Sequence, residues 1–160
     1  MRLITLNGVK LLVYLNGMIL RYSDKQKGNH LIKGWQDCKG SVRLGYNVVG
    51  LNQKYFYRHR IIAYAFLGLD VNNLKKSIDH IDRNKLNNNL NNLRIVSHQE
   101  NMFNTNAKGY SFESDRNKFV AHICINHKDI KLGRFNTKEE ARNAYLKAKE
   151  KYHVIPSTLN

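Results

Sequence analysis

The chain has 160 residues and a formal net charge of +15, with 27 lysine and arginine residues against 12 aspartate and glutamate residues. This excess of positive charge favours a polyanionic partner, most simply nucleic acid, over a membrane, because no long apolar span or amphipathic basic helix is evident. The two cysteines, Cys38 and Cys124, lie far apart and lack metal-ligand spacing, which argues against a disulfide framework or zinc cluster and favours a reducing cytoplasm.

Residues 1–55 predict a basic module rich in β-strands, because short apolar runs alternate with glycine turns. The first eight residues hold too short an apolar run for a signal peptide and are interpreted as a strand. Asn16-Gly17 separates two apolar runs and is the strongest short-range signal for a hairpin. Residues 40–51 predict further strands. The interleaved lysines and aromatic residues suit contact with a DNA backbone, although packing of buried aromatic rings explains such a pattern more often.

An apolar segment over residues 61–67 predicts a helix, and His59 and Arg60 directly precede it. These two residues have two interpretations. They mark a helix start with a solvated arginine, or one of them lies beside a scissile phosphate.

A strand, a loop, a second strand and a helix are predicted next. The first strand covers residues 76–81, and the turn chemistry of residues 82–84 ends it. The β-branched run at residues 93–96 pairs back as the second strand. Ser97 and Glu100 form the pattern S-x-x-E, a capping box that starts a helix.

Three side chains of this segment suit a single-metal phosphodiesterase site. Cutting a phosphodiester requires a nucleophilic water, a base, and positive charge where the phosphorane and the leaving oxygen become negative. His80 suits the base, because an imidazole titrates near neutrality. Asp79 and Asn101 offer the hard oxygen donors that magnesium prefers. Adjacent strand residues face opposite sides, so Asp79 and His80 serve one site if the phosphate lies at the strand's edge, with the water on one side of phosphorus and the metal on the other.

The joint pattern is more specific than any of its residues: H-x-D-x-N-K-x-N-N begins at His80, and N-N-L-R and S-x-x-E-N follow. On this pattern residues 56–105 resemble the HNH family of endonucleases, in particular phage and intron-encoded homing enzymes. The resemblance implies a ββα-metal core with His80 as general base. It also implies that Asp79 and Asn101 hold one Mg²⁺ or Mn²⁺ ion, and that Asn92 is structural, orienting His80 or tying the loop to the strand.

The resemblance extends to His59 and Arg60, which match the family's pattern and are candidate catalytic residues. The chain departs from the pattern at Arg83, where a glycine is usual. The left-handed backbone of this turn is therefore expected at Asn84, since asparagine tolerates it better than most residues. Arg83 itself is a candidate DNA contact.

Residues 107–153 predict a sheet and a helix. Strands over residues 119–125 and 130–135 flank a turn, and Thr137 with Glu140 forms a second capping box. The helix that follows carries an apolar stripe at spacings of three and four residues.

This region resembles an AP2-type DNA-binding domain, on the runs K-G-Y-S-F from Lys108, N-K-F-V-A-H-I from Asn117 and L-G-R-F from Leu132. The resemblance implies a three-stranded sheet, backed by one helix, that lies in the major groove, and a β-ribbon fits that groove physically. The outward strand side chains would then touch phosphates or bases: Arg116, Lys118, His122, Lys131 and Arg134. A solvated sheet face is the other interpretation of any one of them.

The predicted fold class is α+β, with a β-rich module at residues 1–55, a ββα-metal HNH nuclease core at 56–106 and an AP2-like sheet with one helix at 107–160. The predicted function is a site-specific, metal-dependent DNA endonuclease of the homing type. Its partner would be double-stranded DNA in the cytoplasm, that of a host cell if a phage encodes it. A monomer and a homodimer are both compatible. The alternative is a non-catalytic, sequence-specific DNA-binding protein derived from a nuclease.

Overall fold

The computed structural model describes residues 1–27 and 30–155 of the chain. Their contacts form two compact units, one of residues 1–96 and one that begins at Ser97. Both units mix small antiparallel sheets with short helices, so the fold is of the α+β class. None of the helices in the described ranges is long and apolar enough to cross a membrane. Residues 156–160 of the predicted third domain lie outside the described residues.

The first unit opens with the strands β1 (Arg2–Leu6), β2 (Val9–Val13), β3 (Ile19–Lys27), β4 (His30–Asp37), β5 (Ser41–Arg43), β6 (Tyr46–Leu51) and β7 (Lys54–Tyr57). Antiparallel sheets join β1 to β4 and β5 to β7, each in chain order. The predicted hairpin at Asn16-Gly17 is confirmed, because the backbone N–H of Tyr14 donates to Met18 O at 2.9 Å and closes the turn between β2 and β3.

The rest of the first unit is a helix followed by a hairpin. The helix α1 (Arg58–Leu67) begins earlier than the predicted start at residue 61, and Gly68 ends it in the left-handed conformation, with φ +71°. The strands β8 (Ser77–His80) and β9 (Leu93–Val96) pair antiparallel, and a short 3-10 turn, Leu90–Asn92, leads into β9. The strands predicted at 76–81 and 93–96 are therefore confirmed.

One apolar core runs through the first unit. Leu11 and Ile19 from the first sheet and Ile61 from α1 are each 0% exposed, and Ile78 of β8 belongs to the same cluster. Burial of a side chain of this size stabilises the fold by roughly 2 kcal/mol. The first sheet and the β8–β9 hairpin therefore share one core, and the division of the chain into three modules stays a prediction.

The second unit is built from α2 (His98–Phe103), β10 (Tyr110–Glu113), β11 (Lys118–Ile125), β12 (Lys128–Phe135) and α3 (Lys138–Tyr152). The strands form a three-stranded antiparallel sheet in chain order. Both predicted capping boxes are confirmed, at Ser97 for α2 and at Thr137 for α3. The core is small, since Ile123 of β11 packs against Tyr145 and Ala148 of α3.

Candidate active site

The β8–β9 hairpin positions Asp79 and His80 at the end of β8. Asp79 lies opposite Arg94 and His80 lies opposite Leu93 in a regular antiparallel register. Both Asp79 and His80 are only 5% exposed. Because successive residues of a strand point to opposite faces, the carboxylate and the imidazole have separate surroundings, and their joint use at one phosphate stays a prediction.

On one face, Arg94 holds Asp79. The Nη2 and Nε atoms of Arg94 lie 2.6 Å and 2.8 Å from Oδ2 of Asp79. Charge-assisted contacts of this kind are among the stronger hydrogen bonds in proteins and fix the position of the carboxylate. Sequence reasoning did not assign Arg94 a role, although its place opposite Asp79 follows from pairing the two predicted strands.

On the other face, aromatic rings enclose His80. The ring of His59 lies 5.1 Å from that of His80, edge to face at 84°, and the ring of Tyr46 lies 6.0 Å away. Burial lowers the pKa of His80, opposed mainly by the side-chain interaction with Asn88. The imidazole therefore carries no proton charge at neutral pH, which is the state in which it can accept a proton.

The side chain of His59 is buried rather than at the surface. It is 7% exposed, stacks on Tyr57 at 5.4 Å and 14°, and meets Tyr46 at 5.2 Å. Burial above all, with repulsion from His80 when that ring is protonated and from Arg60, lowers the pKa of His59 to about 3. Its imidazole is therefore neutral at all but strongly acidic pH.

A lysine stands beside this aromatic group. The Nζ atom of Lys85 lies 4.5 Å from the centre of the Tyr46 ring, and its positive charge also lowers the pKa of His80. Tyr46 comes from β6, so the second sheet contributes to the surroundings of His80. Neither residue was singled out from the sequence.

The loop after β8 is fixed by side-chain amides. Asn92 accepts the backbone N–H of Asp82 at 3.0 Å, and its Nδ2 donates to Asp82 Oδ1 and to Asn87 O, each at 2.8 Å. The hydrogen bond from Asn87, above all, lowers the pKa of Asp82. Of the two roles predicted for Asn92, these contacts match that of tying the loop to the strand.

The turn itself differs from its prediction. Arg83 has φ +63°, whereas Asn84 is not among the residues with positive φ. Arg83 therefore occupies the position where glycine is usual, despite the steric strain on a side chain there. The backbone N–H of Arg83 donates to His80 O at 2.8 Å and closes the turn, which offsets part of that strain.

Two arginines at the start of α1 bind backbone carbonyls. Arg60, a candidate catalytic residue, donates to Asn73 O at 2.6 Å and to Val71 O and Lys76 O at 3.2 Å each. These contacts fasten the loop between α1 and β8. Arg58, which the sequence did not single out, is 9% exposed and binds carbonyls of the first unit in the same way.

Asn101 lies in α2 of the second unit, where its backbone N–H donates to Ser97 O at 3.0 Å. Within residues 1–27 and 30–155, no group of three or more histidine, cysteine, aspartate or glutamate side chains is arranged to hold a metal ion. The predicted site has one carboxylate and one asparagine, so the absence of such a three-residue group does not bear on it. The predicted ligand pair Asp79 and Asn101 therefore stays a prediction.

The candidate DNA contacts of the second unit include an ion-pair group on β10 and β12. Arg134 donates from Nη2 to Glu113 Oε1 at 3.1 Å, and its Nε contacts the other carboxylate oxygen. Lys131 Nζ lies 4.0 Å from the same carboxylate. The hydrogen bond from Arg134 holds the pKa of Glu113 below its usual range.

The other three candidates of this unit have different surroundings. Arg116 is exposed and lies 3.7 Å from Asp115, and Lys118 contacts the side chain of Asn136. His122 lines a cavity of about 430 Å³ within the second unit, together with His98.

A comparison with known protein families finds a match to the central segment of the chain. Residues 56–103 match the HNH endonuclease family, and this segment includes Asp79, His80, Asn92 and Asn101. The match covers less than half of the chain and shows what this segment is similar to.

Individual relatives are more distant. The chain is 38% identical over 72 residues to an uncharacterized HNH endonuclease of Acanthamoeba polyphaga mimivirus, over 42% of this chain and 38% of that protein. It therefore spans well under half of the length of this curated relative. A structure titled "DNA binding and cleavage by the HNH homing endonuclease I-HmuI" is similar over 82% of this chain and 77% of its own, with 24% identity and a TM-score of 0.49. That likeness is too low to support an argument.

Proposed function

We propose that the protein is a site-specific, metal-dependent DNA endonuclease of the homing type, with a central ββα-metal module. The observation that carries the proposal is the pair Asp79 and His80. Both side chains are 5% exposed at the end of one strand, inside the segment that matches the HNH endonuclease family. Burying a carboxylate and an imidazole is unfavourable without compensation, so their joint burial favours a functional explanation.

His80 is the general base of this proposal. A neutral imidazole takes the proton from the water that attacks phosphorus, and general-base catalysis typically contributes 10²–10⁴-fold in rate. The positive charge of Lys85, held beside Tyr46, would lie near the phosphate that His80 acts on. Asn92 keeps the loop that follows His80 in one conformation.

Asp79 and Asn101 would hold the divalent ion, one Mg²⁺ or Mn²⁺ per site. The donor chemistry fits, because a carboxylate and an amide oxygen are hard ligands and Mg²⁺ usually retains several waters. When bound, the ion would supply positive charge for the phosphate oxygens. Arg94, through its contact with Oδ2 at 2.6 Å, holds the Asp79 carboxylate in place.

The net charge of +15 supports a double-stranded DNA partner, since phosphate contacts supply much of the affinity of such complexes. Arg116, Lys118, His122, Lys131 and Arg134 would contact DNA from an AP2-like sheet, and Arg83 from the central loop. His59 and Arg60 would support the site from α1.

A second candidate is a non-catalytic, sequence-specific DNA-binding protein derived from a nuclease. One observation favours it: Arg94 already neutralises Asp79 at 2.6 Å, so a metal ion must share or displace that arginine. If the arginine is never displaced, the protein binds DNA and does not cut it.

The test is incubation of the purified protein with genomic DNA of its own host, with Mg²⁺, with Mn²⁺ and with EDTA. Wild type is compared with His80→Ala and with His127→Ala, a matched control at an exposed turn of the second unit. We expect discrete, metal-dependent nicks or breaks from wild type and from His127→Ala. His80→Ala should lose at least about a hundredfold in rate, the lower end for a general base, while DNA affinity stays unchanged.

Two results would count against this reading. A tight shift of the same DNA by wild type and His80→Ala, without cleavage by either, would favour the non-catalytic candidate. A large loss of affinity in His80→Ala would instead contradict the assignment of His80 as a base, because a base acts on the transition state more than on binding.

A further inference from the structure

Leu44 is an apolar side chain that contributes nothing to the core. It is 86% exposed, as is Leu74, and no other large apolar side chain among the described residues is more exposed. Single exposed apolar residues are common on protein surfaces, so exposure alone assigns no role. The backbone of Leu44 and its neighbours supply the further observations.

The backbone of Leu44 is in the left-handed conformation that most side chains avoid. Leu44 has φ +51° and Gly45 has φ +81°, and Arg43 pairs with Tyr46 on either side of them. The two residues therefore form a tight hairpin turn with positive φ at both positions. In this conformation the Cβ atom of a leucine crowds the following carbonyl oxygen, whereas glycine has no such contact and asparagine tolerates it better.

Three other hairpins show which residue this kind of turn accepts. Among the described residues, the β1–β2, β6–β7 and β11–β12 turns also have two successive residues with positive φ: Asn7-Gly8, Asn52-Gln53 and Asn126-His127. Each of them has asparagine at the first position, where the β5–β6 turn has Leu44. The leucine therefore lowers stability relative to asparagine, and retained backbone strain of this kind is typical of functional positions.

The β5–β6 turn lies next to the candidate active site. At most roughly 7 Å of backbone separates Leu44 from Tyr46, whose ring lies 6.0 Å from that of His80. A Cβ atom at Gly45 would lie 3.5 Å from Lys85 Cδ, so the turn also packs against the loop that follows β8. Leu44 is therefore exposed to solvent close to the imidazole of the proposed base.

The hairpin that carries Leu44 is well anchored and positively charged. Val49 of β6 is 2% exposed, and the guanidinium of Arg43 lies 3.9 Å from the centre of the Tyr55 ring on β7. Arg43 and Lys85 are both exposed beside the turn. An apolar tip with adjacent cations fits double-stranded DNA, because the phosphates attract the cations and an apolar side chain can enter between the bases.

We propose that Leu44 is an apolar wedge that enters between two base pairs of double-stranded DNA, beside the phosphate on which His80 acts. This inference rests on the proposed function and adds to it a residue that distorts the substrate. Inserted apolar side chains partly unstack a base step and kink the duplex. Pyrimidine–purine steps deform most easily, so the wedge favours cleavage next to such a step. The kink would bring the phosphate into the geometry that the base requires.

The first test measures the distortion of DNA without cleavage. Fragments of host genomic DNA that wild type binds in EDTA are recovered and treated with permanganate, which oxidises thymines that have lost their stacking. Wild type should produce hyperreactive thymines at a pyrimidine–purine step and a bend detected by gel mobility. Leu44→Asn should lose both signals, whereas Leu44→Met, which keeps an apolar side chain, should retain them.

Leu74→Asn is the matched control, since Leu74 is equally exposed in the loop between α1 and β8. It should distort the same fragments as wild type does. Equal losses of distortion in Leu44→Asn and Leu74→Asn would contradict the placement of the wedge at Leu44. An absence of hyperreactive thymines with wild type would overturn the proposal, whether or not the protein cuts DNA.

The second test compares stability with activity. Because asparagine suits the left-handed position, Leu44→Asn should raise Tm by about 2–4 °C. The same variant should lower kcat by about tenfold or more, since the phosphate is no longer brought into place. Leu44→Met should keep both Tm and kcat close to those of wild type.

The opposite signs of these two effects separate a wedge from a residue that only supports the fold. A more stable Leu44→Asn with the kcat and the permanganate pattern of wild type would overturn the proposal. If wild type cuts no DNA, the proposed function fails, and the permanganate pattern still decides whether Leu44 enters the base stack.

Discussion

The two units of the molecule differ in the burial of their polar side chains. Within the described residues, the buried polar and charged side chains all belong to the first unit: Arg58, His59, Asp79, His80, Asn88 and Asn92. In the second unit, the charged candidates stay at the surface, as the side chain of Arg134, 38% exposed, shows beside Glu113. The first unit has a large apolar core in which to enclose such groups, and the second has a small one.

Buried and exposed polar side chains suit different functions. A buried polar group loses its water and needs a fixed protein partner, so its geometry is set before any substrate arrives. Chemistry on a phosphodiester requires that fixed geometry. An exposed ion pair contributes only about 0–1 kcal/mol and can be exchanged for a phosphate at little loss. Under the proposed function, the buried Asp79 and His80 of the first unit would serve catalysis, and the exposed cations of the second unit would make reversible contact with DNA.

The largest effect that sharpens this comparison is a loss of stability in acid, caused by His59. The pKa of His59 is about 3 in the folded chain and about 6.5 when unfolded. Below pH 6.5 the unfolded chain binds a proton that the folded chain does not, so stability is complete above pH 6.5 and falls as the pH drops toward 3. The total loss approaches about 4 kcal/mol, and near pH 5 the slope is about 1 kcal/mol per pH unit.

Urea denaturation at pH 7, 6 and 5 measures this slope. The chain contains one tryptophan, and Trp35 lies in β4, so its fluorescence reports on the first unit. His59→Phe should remove most of the slope and keep the ring packing on Tyr57, leaving a smaller contribution of the same sign from His80. An identical slope in His59→Phe would mean that another group takes up the proton.

The next effect in size concerns the ion pair of the first unit. Arg94→Met leaves the Asp79 carboxylate buried without its arginine, which should lower the free energy of unfolding by roughly 3 kcal/mol. Asp79→Asn in the same chain should recover much of this loss, because the uncompensated charge is gone. Trp35 fluorescence in urea measures both variants.

Arg43→Met is the matched control for this pair. Arg43 is exposed and lies 3.9 Å from the centre of the Tyr55 ring, so its replacement should lower stability by less than about 1 kcal/mol. Similar losses for Arg94→Met and Arg43→Met would show that the Asp79 pair behaves like a surface contact, and the contrast between the units would weaken.

The sequence predicted those features that depend on local patterns. Asn16-Gly17 predicted its hairpin, and Ser97 and Thr137 predicted the starts of α2 and α3, because turn and cap chemistry acts over a few neighbouring residues. The pairing of β8 with β9 followed from the turn chemistry after β8 and the β-branched run of β9. On the same basis, Asp79 and His80 were placed on opposite faces of one strand.

The remaining features depend on contacts that are distant in the sequence. In the sequence, β7 and α1 separate the strand of Tyr46 from that of His80, and about 70 residues separate Gly17 from Asn88, on whose backbone it packs. No local sequence pattern could therefore indicate either contact. Arg83 shows a different limit, because propensity favoured Asn84 for the left-handed position and the closed turn placed Arg83 there instead. In this exposed turn, the hydrogen bond from the backbone N–H of Arg83 to His80 O outweighs the single-residue preference.

The smallest expected effect tests the second unit, where Glu113 restrains Arg134 and Lys131. If this face meets DNA, Arg134→Ala and Lys131→Ala should each weaken binding and reduce the slope of log affinity against log salt by about 0.9, the value for one lost phosphate contact.

Glu113→Gln is the control of opposite sign, and it should leave the slope unchanged or steeper because Arg134 is released. All three variants should leave Tm close to that of wild type, since the ion pairs are exposed. Fluorescence anisotropy of labelled duplex DNA at several salt concentrations measures the slopes. Equal slopes in wild type, Arg134→Ala and Lys131→Ala would mean that this face of the sheet stays in solvent, and the DNA contact would have to be sought elsewhere on the chain.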